Sequence, residues 1–226
     1  MSSSSPARVL SVNLAHVRPN PFKEAETTGI DKRPTEEPVH VRAPGTREDG
    51  LGSGLVGDSI GDRFNHGGDD QAVYAYARED LDHWTRALGR TLPPGSFGEN
   101  LTTEGIDISS ALIGERWLIG DEVELQITEP RIPCSTFRGW IGERGWLRTF
   151  TEAAIPGTYL RVIAPGSVTA GDRITISHRP DHDVTVALVF RALTREPELL
   201  SSILAADELP RGARLMACEG RTLSIS

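Results

Sequence analysis

Two short strings hold the residues best suited to chemistry. In EPRIPCSTF, Cys134 follows Pro133, with Arg131 close upstream. A thiolate is a soft ligand that suits a polarizable metal centre, and an adjacent guanidinium lowers the thiol pKa from its ordinary value of about 8.5. The local string on its own favours a small buried hydrophobe, the commonest state of a lone intracellular cysteine. In GDRFNHGGDDQAVYAY, His66 precedes Gly67 and Gly68. Its imidazole titrates near neutral pH, and two residues without a Cβ would let a ligand approach the backbone. The same string also reads as a β-turn with a hydrogen-bonded histidine and solvated Asp69 and Asp70.

A third string is set aside. Gly52, Gly54 and Gly57 in GSGLVG satisfy the dinucleotide fingerprint by letter. No hydrophobic strand precedes them, however, and GDSIGDR rather than an amphipathic helix follows, so no helix N-terminus is there to receive a pyrophosphate.

The elements that must position these residues are mostly strands. RVLSVNLA, PVHVRA and AVYAYA have β-branched or alternating character. Val123, Leu125 and Ile127 alternate with polar neighbours after a Gly120–Asp121 turn, and TYLRVIA and DRITISHR follow. Between the first two strands TTGIDKRPTEEP reads as loop. The segment from Pro44 to Asp62, rich in Gly and acids and without a period, reads as a long exposed loop that could alter access to a pocket. REDLDHWTRALG predicts a helix, with Leu81, Trp84 and Leu88 on one face, acids at its start and Gly89 at its end. After Pro180 the character changes. Leu199, Leu200, Ile203 and Leu204 have helical spacing behind Pro197, and VTVALVFRAL and RGARLMA flank them as further helices.

Composition bounds the function classes. The 226 residues carry a formal charge of −8, which disfavours a surface built for nucleic acid or anionic lipid. The region from Asp181 onward holds more acids than arginines and no lysine, the wrong balance for a DNA-binding face. No apolar run approaches the roughly 20 residues needed to span a membrane, and the amino end lacks the features of a leader, so a cytoplasmic location is expected. The serines at that end are expected to fray. With only Cys134 and Cys218, neither a structural Cys-rich zinc site nor an ordinary iron–sulfur cluster can form. Electrons must come from a bound cofactor or a separate partner.

Read together, TGIDKRP, GDRFNHGGDDQAVYAY, PPGSFGENLTT, the IGE and IGD strings around Trp117, EPRIPC and GTYLRVIAPGSVTAGDRI stand in an order that resembles the MOSC family of molybdenum-cofactor-binding proteins, in its YiiM-like bacterial branch. The resemblance covers about Arg8 to His178, and the tail resembles that branch's three-helix extension. It implies a mainly β, barrel-like domain over 1–180 with a few helices and a small helical domain over 181–226. It also implies a molybdopterin cofactor whose metal is held by Cys134, with Arg63 and His66 beside the metal. Lys32, Arg33, Asn100 and Arg131 lie in matching motifs that could hold the pterin or its phosphate, as could the backbone at Gly67 and Gly68. Arginine, lysine and amide groups suit such a ligand. Lys32 and Arg33 read equally as an exposed charged loop, and Asn100 as a turn residue capping local backbone.

The function expected from the resemblance is reduction of an N-hydroxylated small molecule, such as a hydroxylamino purine, to its amine. Catalysis would rest on Cys134, His66 and Arg63, with electrons from a separate reductase. A non-catalytic carrier of the cofactor, or of sulfur on Cys134, is the alternative from another class.

Overall fold

The structure is a computed structural model that describes residues 6–225. The serine run expected to fray lies outside the described residues. Strands β1 (Arg8–Ala15), β4 (Lys32–Thr35), β6 (Val73–Ala77), β7 (Leu101–Glu104), β8 (Arg116–Ile119), β9 (Val123–Pro130), β10 (Thr158–Ala164) and β12 (Ile174–His178) form one eight-stranded sheet in the order β12-β8-β9-β10-β6-β7-β1-β4. Short β2 (Arg18–Pro19) pairs with β3 (Thr27–Thr28), and β5 (Val39–Val41) with β11 (Gly166–Val168). All pairs in the main sheet are antiparallel except β6 with β7. That exception follows from the helix between them, α1 (Arg78–Leu88), because a parallel neighbour needs a crossover connection. Gly89 ends α1 in the left-handed conformation, as its sequence position predicts.

The expected closed barrel is not what the ladder shows. The sheet curls until Arg8 and Arg173 form an isolated antiparallel bridge, but no continuous pairing joins β12 to β1. The fold is therefore predominantly β, with a large curled mixed sheet and several helices.

Strand β6 is buried on both faces, and its alternation separates two cores. Val73, Ala75 and Ala77 join an aliphatic core with Val9, Leu125 and Ile127, whereas Tyr74 and Tyr76 join an aromatic one with Trp84, Phe97 and Phe150. Two helices absent from the sequence reading, α2 (Ser135–Ile141) and α3 (Trp146–Ala153), close the aromatic core through Phe137, Ile141 and Trp146. The segment TTGIDKRPTEEP is not all loop, since Lys32–Thr35 add an edge strand to β1.

The tail contains α4 (Val186–Thr194) and α5 (Arg211–Cys218), but the middle helix is replaced by two 3₁₀ turns, Pro197–Leu199 and Ser202–Ala205. The i, i+3 spacing of Leu200 and Ile203 serves a 3₁₀ turn as well as an α-helix, and both side chains are buried. Val189, Ile203 and Ala213 of the tail lie in the same aliphatic core as Trp117 and Ile127 of the sheet. No helix among the described residues is long and apolar enough to cross a membrane.

Candidate functional site around Cys134

Strand β9 carries the chain to the site. Pro130 and Pro133 have no N–H to donate, so the ladder ends and the backbone leaves the sheet just before Cys134. Cys134 is extended (φ −127°, ψ 172°), and its carbonyl accepts the first helical hydrogen bond of α2 from Arg138 N at 2.9 Å. Its side chain lines a cleft of about 750 Å³, counting the open mouth. Cys134 and Cys218 are both free thiols.

His66 reaches the same cleft from a turn opposite. Asp62 builds that turn: its carbonyl accepts His66 N at 3.1 Å, and its carboxylate accepts Asn65 Nδ2 at 2.9 Å and pairs with Lys23. Gly67 follows at φ +90°, and a Cβ there would stand 2.8 Å from Gly52 O. A Cβ on Gly68 would meet the Arg47 backbone at 2.9 Å. Both glycines are therefore required by one loop packing against another, and Gly67 alone also lines the cleft.

Arg131 completes this wall. It is 6% exposed, donates from Nη1 to Phe97 O at 3.3 Å and lies 3.6 Å from the Phe137 ring centre. Among the described residues it has no carboxylate partner. Burying an ion costs several kcal/mol, and a desolvated cation–π contact returns only about 2. Tyr74 and the Cys134 thiol are ionisable groups on this wall that answer the Arg131 charge. Burial alone would raise the Cys134 pKa, but His66, Arg131 and the Phe137 backbone N–H outweigh it and bring it down to about 6. Reciprocally, burial would lower the Arg131 pKa, yet Tyr74 and Cys134 hold it above its usual value.

The other wall is organised by Asp58, a residue the sequence reading passed over. Its carboxylate is 1% exposed at the side chain and pairs with Lys32 Nζ at 2.5 Å. It also accepts from Ser53 Oγ at 2.7 Å, Asn100 Nδ2 at 2.9 Å and Ala15 N at 2.9 Å. Burial pushes its pKa up, and Lys32 together with these donors drives the net value below the ordinary carboxylate range. The segment around Asp58 is thus not a freely exposed loop: Ser53 and Leu55 are buried, and the chain forms a wall of the cleft. Asn100 is fully engaged, because its Oδ1 also accepts Tyr74 N at 3.1 Å. Gly52, Gly54 and Gly57 lie in irregular chain with no helix behind them, which agrees with setting the dinucleotide fingerprint aside.

Among the candidate residues, then, the structure brings Cys134, His66, Arg131, Gly67, Lys32 and Asn100 to one cleft. It places Arg33 outside, 61% exposed at the side chain and paired with Asp31 at 3.0 Å. Arg63 is exposed as well, with its guanidinium bonded to Gly50 O. No three His, Cys, Asp or Glu side chains among the described residues gather as a metal-ion site. A metal at Cys134 must therefore bring most of its ligands with it, as a pterin-bound metal does, and a soft sulfur beside a guanidinium that has no carboxylate partner among the described residues fits that group.

Comparison with known proteins identifies the family. The family profile for the MOSC domain matches residues 62–175, which span both His66 and Cys134. The chain is 31% identical over 197 residues to the uncharacterized protein YflK of Bacillus subtilis, covering 86% of this chain and 84% of that one. It is 32% identical over 138 residues to protein YiiM of Escherichia coli, covering 59% of this chain and 60% of that one. The crystal structure of YiiM from Geobacillus stearothermophilus superposes with a TM-score of 0.76 at 23% identity, over 95% of this chain and 99% of the other. On the profile match and the identity to YflK, this chain belongs to the MOSC domain family.

Proposed function

We propose that the cleft binds a molybdopterin cofactor and that the protein reduces N-hydroxylated compounds, such as hydroxylamino purines, to amines. The observation that carries this reading is the convergence of Cys134, His66 and Arg131 on one cleft, with a thiol already biased toward its anion. The balanced reaction is R–NHOH + 2H⁺ + 2e⁻ → R–NH₂ + H₂O, and a bound molybdenum centre supplies the two-electron oxygen-accepting chemistry.

The protein's residues then divide the remaining work. Cys134 Sγ would bind the metal, and Arg131 would keep that sulfur anionic. His66 moves a proton to the departing oxygen from its imidazole, the only side chain whose ordinary pKa lies near neutrality. The wall built on Asp58 fixes the far side of the cleft. Arg63, on the exposed rim, and Arg33, on the surface, meet an anionic group only if it extends past the mouth. Two electrons come from a separate reductase. The unit over 1–180 does the chemistry, and the helical region from 181 onward braces the sheet behind it.

The test compares wild type with Cys134→Ala, both produced in a host that makes the cofactor. Wild type is expected to carry molybdenum and to reduce a hydroxylamino purine with a reduced viologen as donor. The variant is expected to remain folded and lose both. Turnover retained by Cys134→Ala at full metal occupancy overturns the assignment. Loaded wild type that never reduces any hydroxylamine favours a carrier of the cofactor or of sulfur.

A further inference from the structure

Two polar residues outside the roles above tie the histidine turn to the cysteine strand. Gln71 lies in a 3₁₀ turn, Asp69–Gln71, directly after the His66 turn. Its Oε1 accepts Gly67 N at 3.2 Å and its Nε2 donates to Glu129 Oε1 at 2.8 Å. Glu129 stands on β9, immediately before the segment that delivers Arg131 and Cys134. One side-chain pair therefore spans from the backbone next to His66 to the strand that aims the thiol.

The surroundings limit what else holds that distance. Thr128 Oγ1 donates to Asp70 O at 2.6 Å, and Arg161 Nε donates to Asp70 Oδ1 at 3.0 Å, so the far end of the turn is pinned to β9 and β10. The near end, at Gly67, rests on Gln71, on Arg47 Nε at 3.4 Å and on the Gly52 contact. Glu129 has no cationic partner within ion-pair distance among the described residues. Burial pushes its pKa up, the Gln71 bond counters that, and Asp70 adds to it, while Arg47 and His66 pull it down. A carboxylate placed there for stability alone would be paired.

We infer that Gln71 and Glu129 form a positioning strut that sets how the His66 turn meets Cys134. The inference rests on the functional reading of that pair, and its geometry gives a specific signature. Exchanging the two ends keeps the bond, since a carboxylate at 71 still accepts from Gly67 N and from an amide at 129. Two ionised carboxylates cannot keep it, because two acceptors face each other, and such a pair meets only by taking up a proton that the parent pair does not need.

The experiment uses the full-length, cofactor-free chain in a Cys218→Ser background, so that Cys134 is the only thiol. Alkylation by iodoacetamide is followed near pH 5.5, where the thiolate fraction is sensitive to its neighbours. Gln71→Glu is expected to slow the reaction about tenfold, the size of a typical coupled pair. Glu129→Gln, which leaves an oxygen for Gln71 to donate to, is expected to stay within about threefold. The double exchange should return the rate to within about threefold of the parent while thermal unfolding changes little. A Gln71→Glu protein that alkylates at the parental rate or faster overturns the strut, as does a folded double variant that stays as slow as the single one. Because no cofactor or substrate takes part, an inactive loaded enzyme would defeat the functional reading and leave this result standing.

Discussion

On the β4 side of the cleft, Lys32, Asp58, Ser53 and Asn100 satisfy one another, whereas on the β9 side Arg131 meets a carbonyl, aromatic rings and the Cys134 thiol but, among the described residues, no carboxylate. Both walls carry buried charge, but they answer its cost differently. The Asp58 wall closes its network with four donors, so its energy goes into holding the segment around residues 53–58 against β1 and β4. The Arg131 wall leaves a cation with an ionisable sulfur as counter-ion, and such an arrangement is open to exchange for a ligand. Residue type alone does not separate a ligand-binding cation from a structural one; the difference lies in whether a carboxylate already answers it.

The contrast can be broken most severely at Asp58. Replacing it with Ala strands Lys32, which is 7% exposed at the side chain, and is expected to cost about 3–5 kcal/mol in chemical denaturation. The same carboxylate gives a pH signature. Its folded pKa lies below the unfolded value of about 3.9. Its contribution is therefore present above about pH 4 and is lost as pH falls through the folded value. Wild type should lose more stability below about pH 4 than Asp58→Asn does, and equal losses would remove Asp58 from its place as organiser.

Asn100→Ala comes next, at about 1–3 kcal/mol, because it leaves Tyr74 N without the Asn100 Oδ1 acceptor and removes one of the two donors to Asp58 Oδ2, where Ser53 Oγ remains. A loss of metal content larger than this stability change would instead mark Asn100 as a ligand-binding residue. Arg131→Met keeps an apolar side chain against Phe137 and removes the charge. It is expected to raise the alkylation midpoint of Cys134 by about one pH unit or more, as loss of a close opposite charge does. Smallest is Arg63→Ala, expected to stay within about 0.5 kcal/mol, since the residue is exposed on the rim. Loss of bound molybdenum in that variant would place Arg63 at the metal.

How much of this was legible in the sequence differs between the two walls. The alternation of Val123, Leu125 and Ile127 sets β9, and the acids and Gly89 around Leu81 and Trp84 set α1, because burial on one face leaves a period that can be read. Helices α2 and α3 were missed since Gly139, Gly142 and Gly145 interrupt every window across them. Gly142 and Gly145 serve as positive-φ caps, and Gly139 is forced by Phe22, which would stand 2.2 Å from a Cβ. Cys134, His66 and Arg131 came together only through family resemblance, since nothing local brings two distant strings to one cleft. Asp58 carried no signal at all: one acid in a Gly-rich stretch looks solvated until a lysine from β4 is folded onto it. Glu129 was hidden by its strand, where an acid between buried neighbours reads as an outward-facing residue.

The central claim is that the β9 wall holds a ready-made thiolate before any ligand arrives. The most direct measurement is the pH dependence of Cys134 alkylation in cofactor-free protein carrying Cys218→Ser, since Cys218 is exposed and would otherwise react. A midpoint at about 6 is the expected result. A midpoint in the ordinary thiol range near 8.5 would contradict the account, because Arg131 and His66 would then not be acting on the sulfur.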